Sequence, residues 1–360
     1  MINPLPKKAN VALFIALAIF ITASACIIIL GCYVYQNKKK DISHAAKQQL
    51  TTIAELKVWE INNWRNERIS DANVIFKNDA FASDVLDYFH NPSSLQAKKN
   101  VLSLLSATQK SYNYKNILLL DKNNNLQLAL NDHEKYFGKI HSNVINEAVV
   151  KNDIVISDIH LDNKTGCIHL SIVIPIVIVQ KSVSKHLGTV MIMIDPHMRL
   201  FPAIKLWPVP SETGESLLVH RDGDNVVYLN ALRHIKNAPL TMKRPLTKSS
   251  LPAVMAVLGA KGTVYGTDYR KKTVFAAIKA VPDSNWFLIA KVDTDEIYAT
   301  LTTRFWVTVF FIILNILVLG VIVAYIWRYQ QAKYYREQYE LEDKRAFLYA
   351  RSLIEASLDP

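Results

Sequence analysis

Glycine is scarce in this chain: 10 of 360 residues, under half the usual share of roughly 7%. That excludes a collagen-like repeat and an enzyme built on repeated glycine-rich phosphate loops. Cysteine is scarcer still, with only Cys26, Cys32 and Cys167. Two of them fall inside an uncharged block, so an internal disulfide framework and a thiolate metal cluster are both excluded. Acidic residues are outnumbered, 31 Asp and Glu against 42 Lys and Arg, for a net charge of +11. Signatures of catalysis are missing as well: there is no GxSxG, HExxH, phosphate-loop, kinase or GGDEF motif and no phosphoacceptor histidine box. The chain is therefore expected to be non-enzymatic and to need no cofactor. A half-apolar composition excludes a disordered chain.

The apolar residues concentrate in two places. No charge occurs from Ala9 to Asn37, nor from Phe305 to Trp327, where Asn315 is the one strongly polar side chain. At about 1.5 Å per residue, either block crosses a hydrocarbon layer of about 30 Å. Residues 11–35 and 305–327 are accordingly predicted to be transmembrane helices. Phe305, Trp306, Tyr325 and Trp327 would sit at headgroup level. Arg328, Lys333, Arg336, Lys344 and Arg345 follow the second block, while only Lys291 and Arg304 precede it, which places the C-terminal tail in the cytoplasm. Two crossings then put residues 1–10 there too. The first block gives a mixed signal, with Lys7 and Lys8 before it and Lys38, Lys39 and Lys40 after. A cleaved signal peptide is the other reading of this block, and Ile29-Leu30-Gly31-Cys32 approaches a lipoprotein processing site. The block is longer than a usual signal core, however, and Leu30 is bulky for such a site.

Residues 36–303 carry 33 Lys and Arg against 25 Asp and Glu. A net +8 suits solubility and attraction to anionic headgroups, or a pocket for an anionic ligand such as a carboxylate. Apolar residues at Ile53, Leu56, Trp59 (or Glu60), Ile61, Trp64, Ile69, Ala72, Ile75 and Phe76 recur at three- and four-residue steps. They predict one helix from Asp41 to about Phe89. Asn91-Pro92 ends it, and a second helix runs from Leu95 to Lys110. The period then changes to two. A hairpin (116–121 and 126–130) closes on an asparagine-rich turn, a helix covers 141–150, and strands follow at 154–159, 167–179 and 187–194. The same order recurs as a hairpin (216–220 and 226–230) around Asp222-Gly-Asp-Asn225, a helix (251–258), and strands at 262–267, 273–280 and 286–292. Hairpin, helix, three strands, twice over: each half is expected to be a five-stranded antiparallel sheet with helices on one face.

This ordered set resembles the double Cache domain of bacterial sensors. The similarity rests on the hairpin Ile117-Leu-Leu-Leu-Asp121 to Asn125, and on Ser171-Ile-Val-Ile-Pro175 followed by Gly188-Thr-Val-Met-Ile-Met-Ile-Asp195. Trp207-Pro-Val-Pro210, Glu215-Ser-Leu-Leu-Val219, Leu251-Pro-Ala-Val-Met-Ala256 and Trp286-Phe-Leu-Ile-Ala-Lys-Val292 resemble sensors that feed PAS and GGDEF modules. The resemblance covers residues 38–303. It implies an α+β fold: two tandem PAS-like units with antiparallel sheets on a long N-terminal helix, flanked by two transmembrane helices. It implies a distal unit at about 90–195 and a proximal unit at about 207–292, held in the periplasm of a bacterial inner membrane.

The function implied is that of a receptor. It would bind a small molecule, form a homodimer through its long helices, and signal to a cytoplasmic output module, a diguanylate cyclase or histidine kinase, lying beyond this chain. Membrane lipid would be its other partner, and nucleic acid would not be one. Alternatives are a chemoreceptor-like sensor, a non-catalytic membrane-anchored binding protein, and a membrane-tethered hydrolase. By the same resemblance the ligand site lies over the distal sheet, with Tyr112, Tyr114, Asp121, Asp158, His160, His169 and Ser171 as candidates. Such a set would supply aromatic walls, a carboxylate for an amine, and hydroxyl and imidazole donors for a carboxylate. The aromatic-arginine-aspartate pattern of amino-acid-binding Cache domains is not visible, so amino acids are not the favoured ligand. Residues 328–350 are expected to form a cytoplasmic signalling helix, and residues 351–360 look like the opening of a PAS domain.

Two further patterns are weaker. Asp121, Asn123, Asn125 and Asp132 occupy calcium-loop positions, but Leu126 stands where such a loop needs glycine, so a hairpin turn is expected. His160, His169, His186 and His197 are too scattered for a zinc site, and no metal is expected.

Overall fold

The computed structural model of the chain describes residues 7–131, 139–162, 166–180 and 183–357. Its elements run α1 (Lys7–Phe76), α2 (Asp79–His90), α3 (Leu95–Tyr112), β1 (Asn116–Asp121), β2 (Leu126–Ala129), α4 (Lys139–Lys151), β3 (Val155–Ile156), β4 (His160–Leu161), β5 (Ile168–Gln180) and β6 (Val183–Ile194). Then come α5 (Leu200–Lys205), β7 (Glu215–Asp222), β8 (Asn225–Tyr228), β9 (Lys243–Pro245), α6 (Pro252–Val257), β10 (Gly262–Thr267), β11 (Thr273–Ala280), β12 (Trp286–Asp293) and α7 (Thr294–Ser357). One compact unit is Ala45–Glu296; the parts of α1 and α7 outside it form a second.

Within Ala45–Glu296 lie two antiparallel sheets of the same plan. The first is ordered β2-β1-β6-β5-β3, with β4 added on β5; the second is ordered β10-β11-β12-β7-β8-β9. Each has six strands where five were expected. Of the predicted strand 154–159 only Val155–Ile156 is strand, as β3; β4 follows just beyond it, and β9 is a short, polar, proline-ended edge strand that carries no alternating pattern. In the first sheet Leu118 and Leu120 of β1, Val173 of β5, and Met191 and Met193 of β6 join Ile145 and Ala148 of α4 in one core. Because strand side chains alternate, Ile117, Leu119, Ile172 and Ile192 face the other way. Full burial of each such side chain contributes about 1.5–3 kcal/mol.

Helix α1 does not continue to Phe89. It stops at Phe76, and Asn78 opens α2 by accepting the Phe81 N–H at 2.9 Å. Neither proline nor glycine marks this break; an asparagine side chain competing for backbone donors makes it. The buried stripe of α1 also differs from the apolar one. Leu50, Ala54, Lys57, Ile61, Arg65, Arg68, Ala72 and Ile75 are buried at steps of three and four, whereas Leu56 and Trp59 are 40% and 61% exposed. The three charged residues on that stripe each have partners. Lys57 Nζ donates to Glu60 and to the Ala203 carbonyl, both at 2.8 Å. Arg65 donates to the Asp283 carbonyl, and Arg68 Nε lies 2.9 Å from Asp71 Oδ2. A buried charge without such partners would cost several kcal/mol.

In the other unit, α1 and α7 each contain a segment long and apolar enough to cross a membrane, and their apolar side chains lie outside any protein core. Gly31 lets the two helices approach closely: a methyl group there would stand 2.8 Å from Ile312 Cδ1. Tyr35 and Phe305 rings meet at 5.0 Å, and Lys39 Nζ sits 5.6 Å over the Tyr298 ring.

Candidate functional site

The α4 face of the first sheet is apolar between Thr189 of β6 at one end and further polar residues at the other. There Asn116 of β1 lies opposite Met193 of β6, and Met193 lies opposite Ser171 of β5, so three strands present one row. Alternation places all three on the same face as Leu118, Met191 and Val173. Asn116 is fully buried and closes the segment after β2: its Oδ1 accepts the N–H groups of Ile117 and Asn131, and its Nδ2 donates to the Asn131 carbonyl, each at 2.9 Å. Ser171 is fully buried too. Its backbone N–H donates to Ser157 Oγ and its carbonyl accepts from the Ser157 N–H, both at 2.8 Å. The Ser171 hydroxyl has no hydrogen-bond partner among the described residues. An unmet buried hydroxyl costs about 1–3 kcal/mol, so this is a place where an added partner would be rewarded.

Two histidines extend the row. His160 on β4 pairs with His169 on β5, and their rings meet edge to face with centroids 4.2 Å apart. Both are buried. Burial pushes the His160 imidazole below its ordinary value, against the pull of the Asp158 carbonyl and of the Asp162 and Asp158 charges. A neutral ring follows at neutral pH, suited to a hydrogen bond more than to a full charge.

His160, His169 and Ser171 are therefore brought together, but the other candidates are not with them. Asp121 lies at the opposite end of β1, five residues from Asn116 and so about 17 Å away at 3.4 Å per residue. Its carboxylate is spent on the hairpin turn, accepting from the Asn123 and Asn125 N–H groups, Asn125 Nδ2 and Gln127 Nε2 at 2.8–3.1 Å. Burial would raise this carboxyl, but those bonds outweigh it and hold it below the ordinary range. Asp132, the last calcium-loop position, is outside the described residues.

Asp158 also turns away from the row. Its Oδ1 accepts the Trp286 indole N–H at 2.9 Å, and its Oδ2 lies 3.9 Å from His220 Nδ1. It thus braces the first sheet against β12 of the second. Tyr114 turns to α1, donating to Asp71 Oδ2 at 2.7 Å; burial first, then that bond, pushes its hydroxyl well above the usual range. Tyr112 packs near it at 5.7 Å, and Arg68 lies 5.8 Å over both rings. Asn116 and Ser157 were missed from sequence. A polar residue opening the otherwise apolar run Ile117–Leu120 was the available signal for Asn116. A separate cavity of about 290 Å³ lies between α1 and α5, lined by Ile61, Trp64, Leu200 and Ile204 with Glu60 and Arg199.

A family model described as Cache domain, dCache_1, matches residues 38–301. Among solved structures, the sensory domain of the Campylobacter jejuni chemoreceptor Tlp3 (CcmL) with isoleucine bound is similar at 13% identity and a TM-score of 0.51. That match covers 72% of this chain and 97% of that one. A second structure of that sensory domain gives 14% and 0.50 over 72% of this chain and 98% of that one. The Tlp3 ligand-binding domain with L-norvaline gives 14% and 0.50 over 71% and 94%. At such identities the likeness is one of fold. No curated protein matches.

Proposed function

Since residues 38–301 make this chain a member of the Cache domain family, we propose that it is a bacterial inner-membrane receptor that binds a small molecule outside the cytoplasm and signals inward. What supports this is the Asn116–Ser171 row. It sets two buried polar side chains on either side of Met193 at the end of a largely apolar sheet face, with the Ser171 hydroxyl unmet among the described residues. Side chains of this kind orient a small ligand against apolar walls. The two apolar segments of α1 and α7 support membrane anchoring, and the Lys and Arg residues that follow the second support both chain ends being inside. A ligand that binds one arrangement of the sheets better than another would shift their balance, and α7, which begins directly after β12, would carry the shift to a cytoplasmic output module. A homodimer, and a purely sensory role without catalysis, belong to the same proposal.

A thermal-shift screen of the detergent-solubilised chain tests it, starting with isoleucine and norvaline and continuing through other carboxylates, amines, purines and sugars. A hit should raise the melting temperature of the native chain and lose about tenfold or more in affinity in Ser171→Ala. That loss corresponds to about 1.4 kcal/mol, the scale of one hydrogen bond. A ligand that binds the variant with unchanged affinity would remove the row from the site.

A further inference from the structure

The two sheets can be superposed strand by strand through their orders: β1 with β7, β2 with β8, β5 with β11 and β6 with β12. In the second sheet Glu215 of β7 lies opposite Lys291 of β12, which lies opposite Ala276 of β11. This is the same register row as Asn116, Met193 and Ser171. It also lies on the corresponding face, because Glu215 and Lys291 stand two residues from Leu217 and Ile289, which pack with α6. Even the closing bond is repeated. Glu215 Oε1 accepts the Arg233 N–H after β8, as Asn116 Oδ1 accepts the Asn131 N–H after β2.

The chemistry at this row differs sharply from that of the first sheet. Lys291 is wholly buried, with Nζ 2.9 Å from Glu215 Oε2 and 2.9 Å from Asp268 Oδ2. Nζ also sits 5.0 Å over the Tyr269 ring, and the Tyr269 hydroxyl donates to Glu215. Two carboxylates and an aromatic face around one ammonium are the means by which proteins recognise a primary amine. Arg270 continues the cluster from Asp268 to Asp293, the last residue before α7.

We propose that Lys291 is a tethered ligand: the second sheet carries a primary-ammonium site permanently occupied by the chain's own lysine. The Glu215–Lys291–Asp268–Tyr269 constellation at the pocket register carries this inference. It is independent of what binds the first sheet. Its consequence is that the second unit is locked in its occupied form, with its own ion pairs reaching the start of α7, and leaves reception to the first.

The test removes the tether and supplies the ammonium separately. The full chain in detergent is melted as native protein, Lys291→Ala and Lys291→Met, with n-butylammonium or with sodium chloride plus n-butanol at matched concentration. Lys291→Ala should melt several degrees lower, and n-butylammonium should restore at least half of the loss in a saturable way, with no shift from butanol and salt. Native protein should not respond to the amine. Lys291→Met fills the volume but removes the ammonium that both carboxylates share, leaving Asp268 to Arg270 and Glu215 to the Tyr269 hydroxyl and the Arg233 N–H, so it should melt low and stay unrescued. If Lys291→Ala does not accumulate folded, the amine present during refolding should recover monodisperse protein where butanol does not. An unchanged melting temperature in Lys291→Met, an equal amine response in native protein, or failure of the amine to rescue Lys291→Ala in either format would overturn the proposal.

Discussion

Asp158 illustrates how a candidate ligand carboxylate becomes a structural brace, and the difference can be measured. In Asp158→Ala the Trp286 indole N–H, on a side chain only 1% exposed, loses its acceptor. A hydrogen bond to a charged group contributes about 1.5–3 kcal/mol. The Asp158 side chain is 44% exposed, so solvent screening brings the expected loss to about 1–2 kcal/mol. For a region of this size that is a fall of roughly 3–6 °C in melting temperature. Trp286→Phe removes the donor and leaves a small void, for a loss of about 2–3 kcal/mol. The double variant should lose less than the sum, with a coupling of about 1–2 kcal/mol by chemical denaturation of the solubilised chain. Coupling below about 0.5 kcal/mol, the usual scatter for independent sites, would refute the brace. So would an Asp158→Ala chain that melts normally but has lost its ligand.

Two further outcomes are expected. Burial holds His160, His186 and His220 below their ordinary values; as pH falls through about 6.5 the unfolded chain takes up protons that the folded chain refuses, so stability should fall on acidification. The slope should reach at most about 1.4 kcal/mol per pH unit per histidine, and a melting temperature flat from pH 7.5 to 5.5 would contradict it. In Gly188→Ala the new methyl would stand 2.2 Å from the Leu120 carbonyl oxygen across β6 and β1. Central backbone cannot retreat cheaply, so we expect a loss of about 3 kcal/mol or more, read as little or no folded protein; native-like melting would show that the sheet yields there.

Much of the fold was legible because it rests on local, periodic signals. Asn-rich and Asp-Gly turns located both hairpins, and apolar alternation located the long strands. The long helix was legible in existence but not in its buried face, since Lys57 and Arg65 are buried where carbonyls distant in sequence meet them, while Arg68 is met by Asp71 one turn along the same helix. The same limit applies at the site. His169 and Ser171 sit in one strand, so period two aligns them; Asp158 points to Trp286, 128 residues away, and nothing local announces that. Edge strand β9 is short and polar, and its pairing depends wholly on β8.

Scarce glycine has a counterpart in the backbone. Asn113, Asn124, Asn152 and Asn237 all adopt left-handed φ values between 49° and 63°, positions that glycine fills most easily. A side chain at each narrows the wandering of the unfolded polymer, so these bends surrender less freedom when the chain orders. The same four asparagines are then natural dials for tuning: a glycine exchange at any of them trades local strain against a looser denatured ensemble, without touching a single buried contact of the sheets.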